Sequence, residues 1–237
     1  MSNMSNILYP ALLSSIVETS ITHPIDVIKI HKQTCKPIVY QFKNLYSGFI
    51  PRAIGNIPSR TIFLFSQDYL QILCNKNYQV NKNIQSFVIP LCVGFSQTLV
   101  DTPVEVLKMN KIMKIKNNLK TNLKINLKIN LLYKGFMPHF GRNFIFVLSV
   151  YNFKQLSINN KFIENQYFTT AIYGAIGGVI GSYLSHPLDT IKTCIQTNKN
   201  YNNFTIKDYF KGCNLRASMS LCNMFISLYI FEVIKKY

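Results

Sequence analysis

His186-Pro187-Leu188-Asp189-Thr190-Ile191-Lys192 is echoed by His23-Pro24-Ile25-Asp26-Val27-Ile28-Lys29 and by Thr102-Pro103-Val104-Glu105-Val106-Leu107-Lys108. All three read Pro-x-acid-x-x-Lys, and their prolines stand 79 and 84 residues apart. Recurrence at such an interval marks the chain as three copies of one unit. Each motif closes an apolar segment. Such segments run at about 7–23, 51–70, 84–103, 136–153, 167–186 and 213–231, each near the ~20 residues a helix needs to cross a bilayer. The expected fold is an all-α membrane protein, with six transmembrane helices as three tandem helical hairpins of threefold pseudosymmetry. It forms a single domain, 1–237, with repeats at 1–76, 77–162 and 163–237.

The motif's chemistry supports that reading. A proline inside a membrane helix removes one backbone hydrogen bond and bends the helix, which is tolerated where a neighbouring helix or water satisfies the freed carbonyl. The acid and the lysine, three residues apart, share one helical face. An ion near the bilayer centre costs ~2.5–3.5 kcal/mol on the insertion scale, so these ions must face a wet cavity or one another. Pairing of each acid with its own lysine on a solvated helix end explains neither the proline nor the recurrence.

Composition agrees. Of 237 residues 48% are apolar and only 15% charged, yet 26 Lys and Arg face 9 Asp and Glu. A net charge of +17 would suit a nucleic-acid binder, but 16 of the basic residues crowd the stretches 29–43, 108–134 and 192–211. With six spans, all three stretches fall on one side of a membrane. The six cysteines show no C-x-x-C pair, which argues against a disulfide framework or a zinc site. The N-terminus has neither a basic signal opening nor an Arg-rich amphipathic stretch, so targeting is expected to be internal.

The triplicated motif resembles the signature of the mitochondrial carrier family, over almost the whole chain. Several implications follow from the resemblance. The matrix gate pairs Asp26 with Lys108, Glu105 with Lys192 and Asp189 with Lys29, braced by Gln33 and Gln196, while Ile112 stands in the second repeat. The aromatic-basic-glycine element before each even helix matches at Tyr133-Lys134-Gly135 and Phe210-Lys211-Gly212 and departs at Tyr46-Ser47-Gly48. Lys134, Gly135, Lys211 and Gly212 are the implied lipid-binding residues, where helix-start amides hold cardiolipin. Twenty residues beyond each glycine lies the implied cytoplasmic gate, Asp68 and Gln71, Gln155 and Ile158, Glu232 and Lys235. Its cross-repeat pairs, Asp68 with Ile158, Gln155 with Lys235 and Glu232 with Gln71, are none of them full ion pairs, so this gate is expected to be weak and open. The connectors after the odd helices are short, 19–27 residues from motif lysine to glycine.

The resemblance also implies substrate contacts seven and eight residues after the glycines, at Gly55 and Asn56, Arg142 and Asn143, Met219 and Ser220. An arginine inside an apolar segment is a functional-site hypothesis by default. Arg142 suits bidentate capture of a phosphate or carboxylate, against the alternative of a structural ion pair with Asp101. Arg52, His139 and Arg216, four residues after each glycine, form a candidate polar ring or else snorkelling anchors. Glu18 and Asp101 are expected cavity liners beside Thr19, Thr22 and Gln97. His23 and His186 read as capping or packing groups rather than a metal site. Gly174, Gly177, Gly178 and Gly181 provide small-xxx-small spacing for close helix contact. The basic stretch 111–132 reads as a solvated arm or an interfacial segment attracted to anionic lipid.

No catalytic constellation appears, so a transporter without cofactor or metal is expected rather than an enzyme. It would be a multi-pass monomer of the mitochondrial inner membrane, with a small anionic substrate, bound cardiolipin and no nucleic acid. The Asn- and Lys-rich form is similar to carriers encoded by large DNA viruses with AT-rich genomes, which places nucleotide or deoxynucleotide exchange first. A di- or oxo-carboxylate carrier, suggested by Arg142 with Asn143, is the alternative. A basic nucleic-acid-binding protein is the distant one.

Overall fold

The computed structural model describes residues 2–33, 46, 49–75, 81–112, 132–159, 165–197 and 204–236. Among these, six long helices carry the fold: α1 (Ser2–Gln33), α2 (Phe49–Leu73), α3 (Lys82–Ile112), α4 (Phe136–Asn159), α5 (Gln166–Thr197) and α6 (Cys213–Lys236). A one-turn helix, Ile206–Tyr209, precedes α6. Each helix packs against the next, and α6 returns to α1, which closes a ring of three hairpins. The side chains of Asp26, Lys29, Gln33, Arg52 and Lys108 lie outside the described residues, as does the arm 113–131.

The helices are turned inside out relative to those of a water-soluble bundle. On α1, Leu8, Leu12, Ile16 and Ile21 are exposed while Ser14, Ser15, Glu18 and Thr22 are buried. Exposed apolar surface of that extent belongs against lipid. The inward polar stripes lower the mean hydropathy, so among the described residues two stretches, Lys82–Val106 and Ile206–Lys235, are long and apolar enough to cross a membrane on length and composition alone. Ile7, Phe63, Val93, Tyr151, Ala171 and Leu228, one from each helix, meet in the apolar core.

Glycines set the closest approaches. A Cβ on Gly177 would stand 2.9–3.0 Å from Phe153 Cβ, Ser149 O and Val150 Cα, and one on Gly181 3.0–3.1 Å from Ser149 and Phe146. Gly174 and Gly178, on the adjacent face of α5, meet Leu228 and Met224 of α6 in the same way. The expected small-residue spacing therefore serves two neighbours, one pair of glycines for each.

The helices run through their motif prolines rather than stopping there. Pro24 lacks the N–H that would bond the Ser20 carbonyl, and Pro103 leaves the Leu99 carbonyl free in the same way. In two repeats a tyrosine supplies the donor: Tyr46 Oη donates to Ser20 O at 3.4 Å and Tyr133 Oη to Leu99 O at 3.2 Å. These are the aromatic residues of the element before each even helix. The third copy has Phe210, which has no hydroxyl; there His186 Nε2–H donates to Lys211 O at 3.2 Å and Thr190 Oγ1 to Tyr209 O at 2.8 Å.

Gly135 and Gly212 adopt φ of +79° and +85° at the starts of α4 and α6, a conformation that favours glycine. His139 N–H and Arg216 N–H then bond the carbonyls of Gly135 and Gly212, both at 3.2 Å, so the two repeats start their even helices alike.

Candidate functional site

The polar interior is built from two charge networks, one at the proline-bearing ends of the odd helices and one at the opposite end. At the first, Lys192 of α5 pairs with Glu105 of α3, the expected cross-repeat partners. The other two expected pairs each include a side chain outside the described residues. Buried Gln196, expected as a brace, hydrogen-bonds to no described residue, and its stem lies beside Gly135.

Arg142 reaches this network from α4. Its Nη1 donates to Asp189 Oδ1 at 2.9 Å and stands 3.7 Å from Glu105 Oε1. Its Nε and Nη2 share Asn143 Oδ1 at 3.1 and 2.8 Å. The ion-pair alternative named Asp101; the partners found are instead the motif acids of α3 and α5. Asn143 donates in turn to Thr98 Oγ1 at 2.9 Å.

His139 is fully buried one turn before Asn143. Thr102 Oγ1 donates to Thr98 O at 2.7 Å, so the same oxygen accepts from His139 Nδ1 at 3.0 Å. The other ring nitrogen, Nε2, then accepts from Arg142 Nη2 at 2.8 Å. This chain of donors assigns a neutral imidazole that orients Arg142 rather than opposing it. Arg216 of α6 completes the cluster, with Nη1 3.4 Å from Asp189 Oδ2 and Nη2 donating to Ser185 Oγ at 2.9 Å. His139 and Arg216 thus both reach the motif acids Glu105 and Asp189, while Arg52, the third member of the expected ring, lies outside the described residues.

Other expected substrate contacts sit elsewhere. Gly55 is a packing position: a Cβ there would clash with Val104 Cγ1 of α3. Ser220 bonds Ser182 across α5 and α6, and Met219 is buried. Asn56 is half-buried one turn before Arg60, whose Nε lies 3.1 Å from Glu18 Oε1. His23 packs on the rings of Tyr46 and Phe49, and His186 on Phe210, which accounts for both as packing groups.

The opposite end corrects the expectation of a weak, open gate. Lys154 of α4 inserts between two helices, with Nζ 2.8 Å from Glu232 Oε1 and 3.4 Å from Asp68 Oδ1, and Lys235 also pairs with Asp68. Both lysines approach the Phe231 ring, at 5.7 and 5.8 Å to its centroid. Charge lost at Gln155 is thus restored by the residue before it, whose long stem reaches both acids. The Gln155 Nε2 is buried and has no hydrogen-bond partner among the described residues. Beyond this ring opens a cavity of about 260 Å³, with Gln71, Ile158, Asn75 and Gln166 on its wall beside the charged residues.

Comparison with known proteins agrees with this architecture. Residues 164–237 match the family model described as mitochondrial carrier protein. The chain is 27% identical over 218 residues to the probable mitochondrial 2-oxodicarboxylate carrier of Schizosaccharomyces pombe, a match covering 78% of this chain and 72% of that protein. It is 26% identical over 229 residues to the succinate/fumarate mitochondrial transporter of Saccharomyces cerevisiae, covering 78% of this chain and 70% of that protein.

Proposed function

Since the chain is a member of the mitochondrial carrier family, we propose that it exchanges a dicarboxylate or 2-oxodicarboxylate across the mitochondrial inner membrane. This is the alternative reading of the sequence, preferred here to nucleotide exchange. It draws support from the names of both relatives, which specify carboxylates. The observation that carries it is Arg142, a guanidinium oriented by Asn143 and His139 and bound to a motif acid.

A planar fork matches one carboxylate bidentately. Asp189 and Asn143 occupy that fork, so a substrate carboxylate competes with both. Binding then loosens Asp189, and with it the contacts that draw α3, α4 and α5 together. A ligand shifts a conformational equilibrium only by its differential affinity for the two states. Here the differential arises because substrate and gate share one arginine. In this reading the proline-bearing network is the matrix gate, and the Lys154 ring is the cytoplasmic one. Cardiolipin headgroups bind at Lys134-Gly135 and Lys211-Gly212, and the carrier acts as a monomer.

The test is exchange in proteoliposomes preloaded with succinate, 2-oxoadipate, ATP or dATP. Labelled succinate should enter against either diacid and against neither nucleotide. Exchange of labelled ATP, with none for the diacids, would refute the proposal.

A further inference from the structure

A diacid presents two charges, and Arg142 answers one of them. We propose that Arg60 is the second anchor, taking the far carboxylate of the substrate whose near carboxylate lies at Arg142; this rests on the dicarboxylate reading above.

The register of α2 places Arg60 for that task. Gly55 and Asn56 stand at the same distance from Gly48 as Arg142 and Asn143 do from Gly135. Arg60 lies one turn beyond Asn56 and seven residues before Gln67, which puts the three on one helical face. It is five residues beyond the counterpart of Arg142, so its backbone sits roughly 7.5 Å farther along the bundle at 1.5 Å per residue. Two guanidinium groups offset along one interior match the two ends of a short aliphatic diacid.

Arg60 already holds a carboxylate. Glu18 of α1 lies against it at 3.1 Å, with the Glu18 side chain 2% exposed and that of Arg60 17%. The surroundings are polar beyond what that pair requires. Ser59 accepts from Gln97 Nε2 at 3.4 Å, while the other end of the Gln97 amide, Oε1, is buried without a partner among the described residues. Thr19 Oγ1, next to Glu18, is likewise buried and unpartnered, and so is Gln67 Nε2 farther along the Arg60 face. Buried polar atoms are ordinarily hydrogen-bonded, and exceptions call for a ligand or water. Glu18 thus acts as an internal stand-in: it keeps Arg60 compensated and gives way when the substrate's far carboxylate arrives.

Inhibition of labelled succinate exchange by succinate and by butyrate, which has one carboxylate on a chain of the same length, tests this in proteoliposomes. The wild type should prefer succinate strongly. In Arg60→Gln that preference should fall about tenfold or more, as expected on losing one charge-assisted contact, through weaker succinate binding with butyrate inhibition unchanged. Arg60→Lys should recover part of the preference. Glu18→Gln removes the internal competitor and should lower the succinate KM. Full preference in Arg60→Gln, equal loss of both acids, or an unchanged KM in Glu18→Gln would overturn the assignment while leaving the dicarboxylate reading in place. A wild type that moves no diacid would overturn both.

Discussion

Replacing Lys154 with methionine keeps a long stem and removes the charge that Asp68 and Glu232 share. The side chains of Lys154, Asp68 and Glu232 are 9%, 7% and 18% exposed, so solvent screening discounts their interaction only modestly. Hydrogen bonds to charged groups contribute about 1.5–3 kcal/mol each. The contact at 2.8 Å falls within that range and the one at 3.4 Å well below it. Together they favour the closed ring by about 2–3 kcal/mol, since Asp68 keeps Lys235 after the substitution. At 1.4 kcal/mol per factor of ten, the closed-to-open ratio falls roughly 30- to 140-fold. The readout is an Asn56→Cys probe in a variant lacking the six native cysteines, labelled by a membrane-impermeant maleimide added from the side of the Lys154 ring. Labelling should be slow in the parent and faster in Lys154→Met by up to that factor. Equal rates would mean that apolar packing, not this lysine, holds the ring.

Three further outcomes are expected. Reversing Glu105 and Lys192 together should restore only part of the transport lost in Glu105→Lys, because the new lysine also faces Arg142, now 3.7 Å from the acid; complete rescue, measured as initial exchange rate, would contradict that geometry. Gly177→Ala should lower the melting temperature of the solubilised protein more than Gly141→Ala does. The first Cβ meets backbone of α4 at 3.0 Å, and the second meets a flexible Leu188 methyl at 3.1 Å; overpacking against backbone costs about 1–3 kcal/mol. Tyr133→Phe should lose about 1 kcal/mol by leaving the Leu99 carbonyl unbonded, seen as a melting shift of roughly 2–4 °C for a domain of this size, and an unchanged melting point would remove that bond from the account.

The ring of six helices was readable because its signals are local and repeated: prolines at a regular interval, apolar segments of one length, and charges confined to one set of connectors. The glycine spacing of α5 was readable for the same reason. Lys154 was not. Matching residues to a position-by-position pattern treats a lysine where an aromatic belongs as a loss, whereas the flexible stem lets the charge act one position away. A lysine just past the end of an apolar segment, one residue before the counterpart of Asp68 and Glu232, was the signal available. Arg142 was singled out as a candidate site residue, but its partner Asp189, 47 residues on, is set by how α4 and α5 cross, which composition and spacing do not encode. The expectation of nucleotides came from the bias of the whole sequence, whereas Arg142 and Asn143, the candidate site residues, argued for carboxylates.

The tyrosine caps make the three repeats mechanically unequal. Where Tyr46 or Tyr133 ties the carbonyl freed by proline to the next helix, bending the odd helix must also break that tie. Phe210 offers no such tie to α5, whose bend is fastened instead through His186 and Thr190 to the backbone beside the one-turn helix. Three hinges with two kinds of fastening are expected to differ in stiffness, so in the exchange proposed above α5 should yield out of turn with α1 and α3.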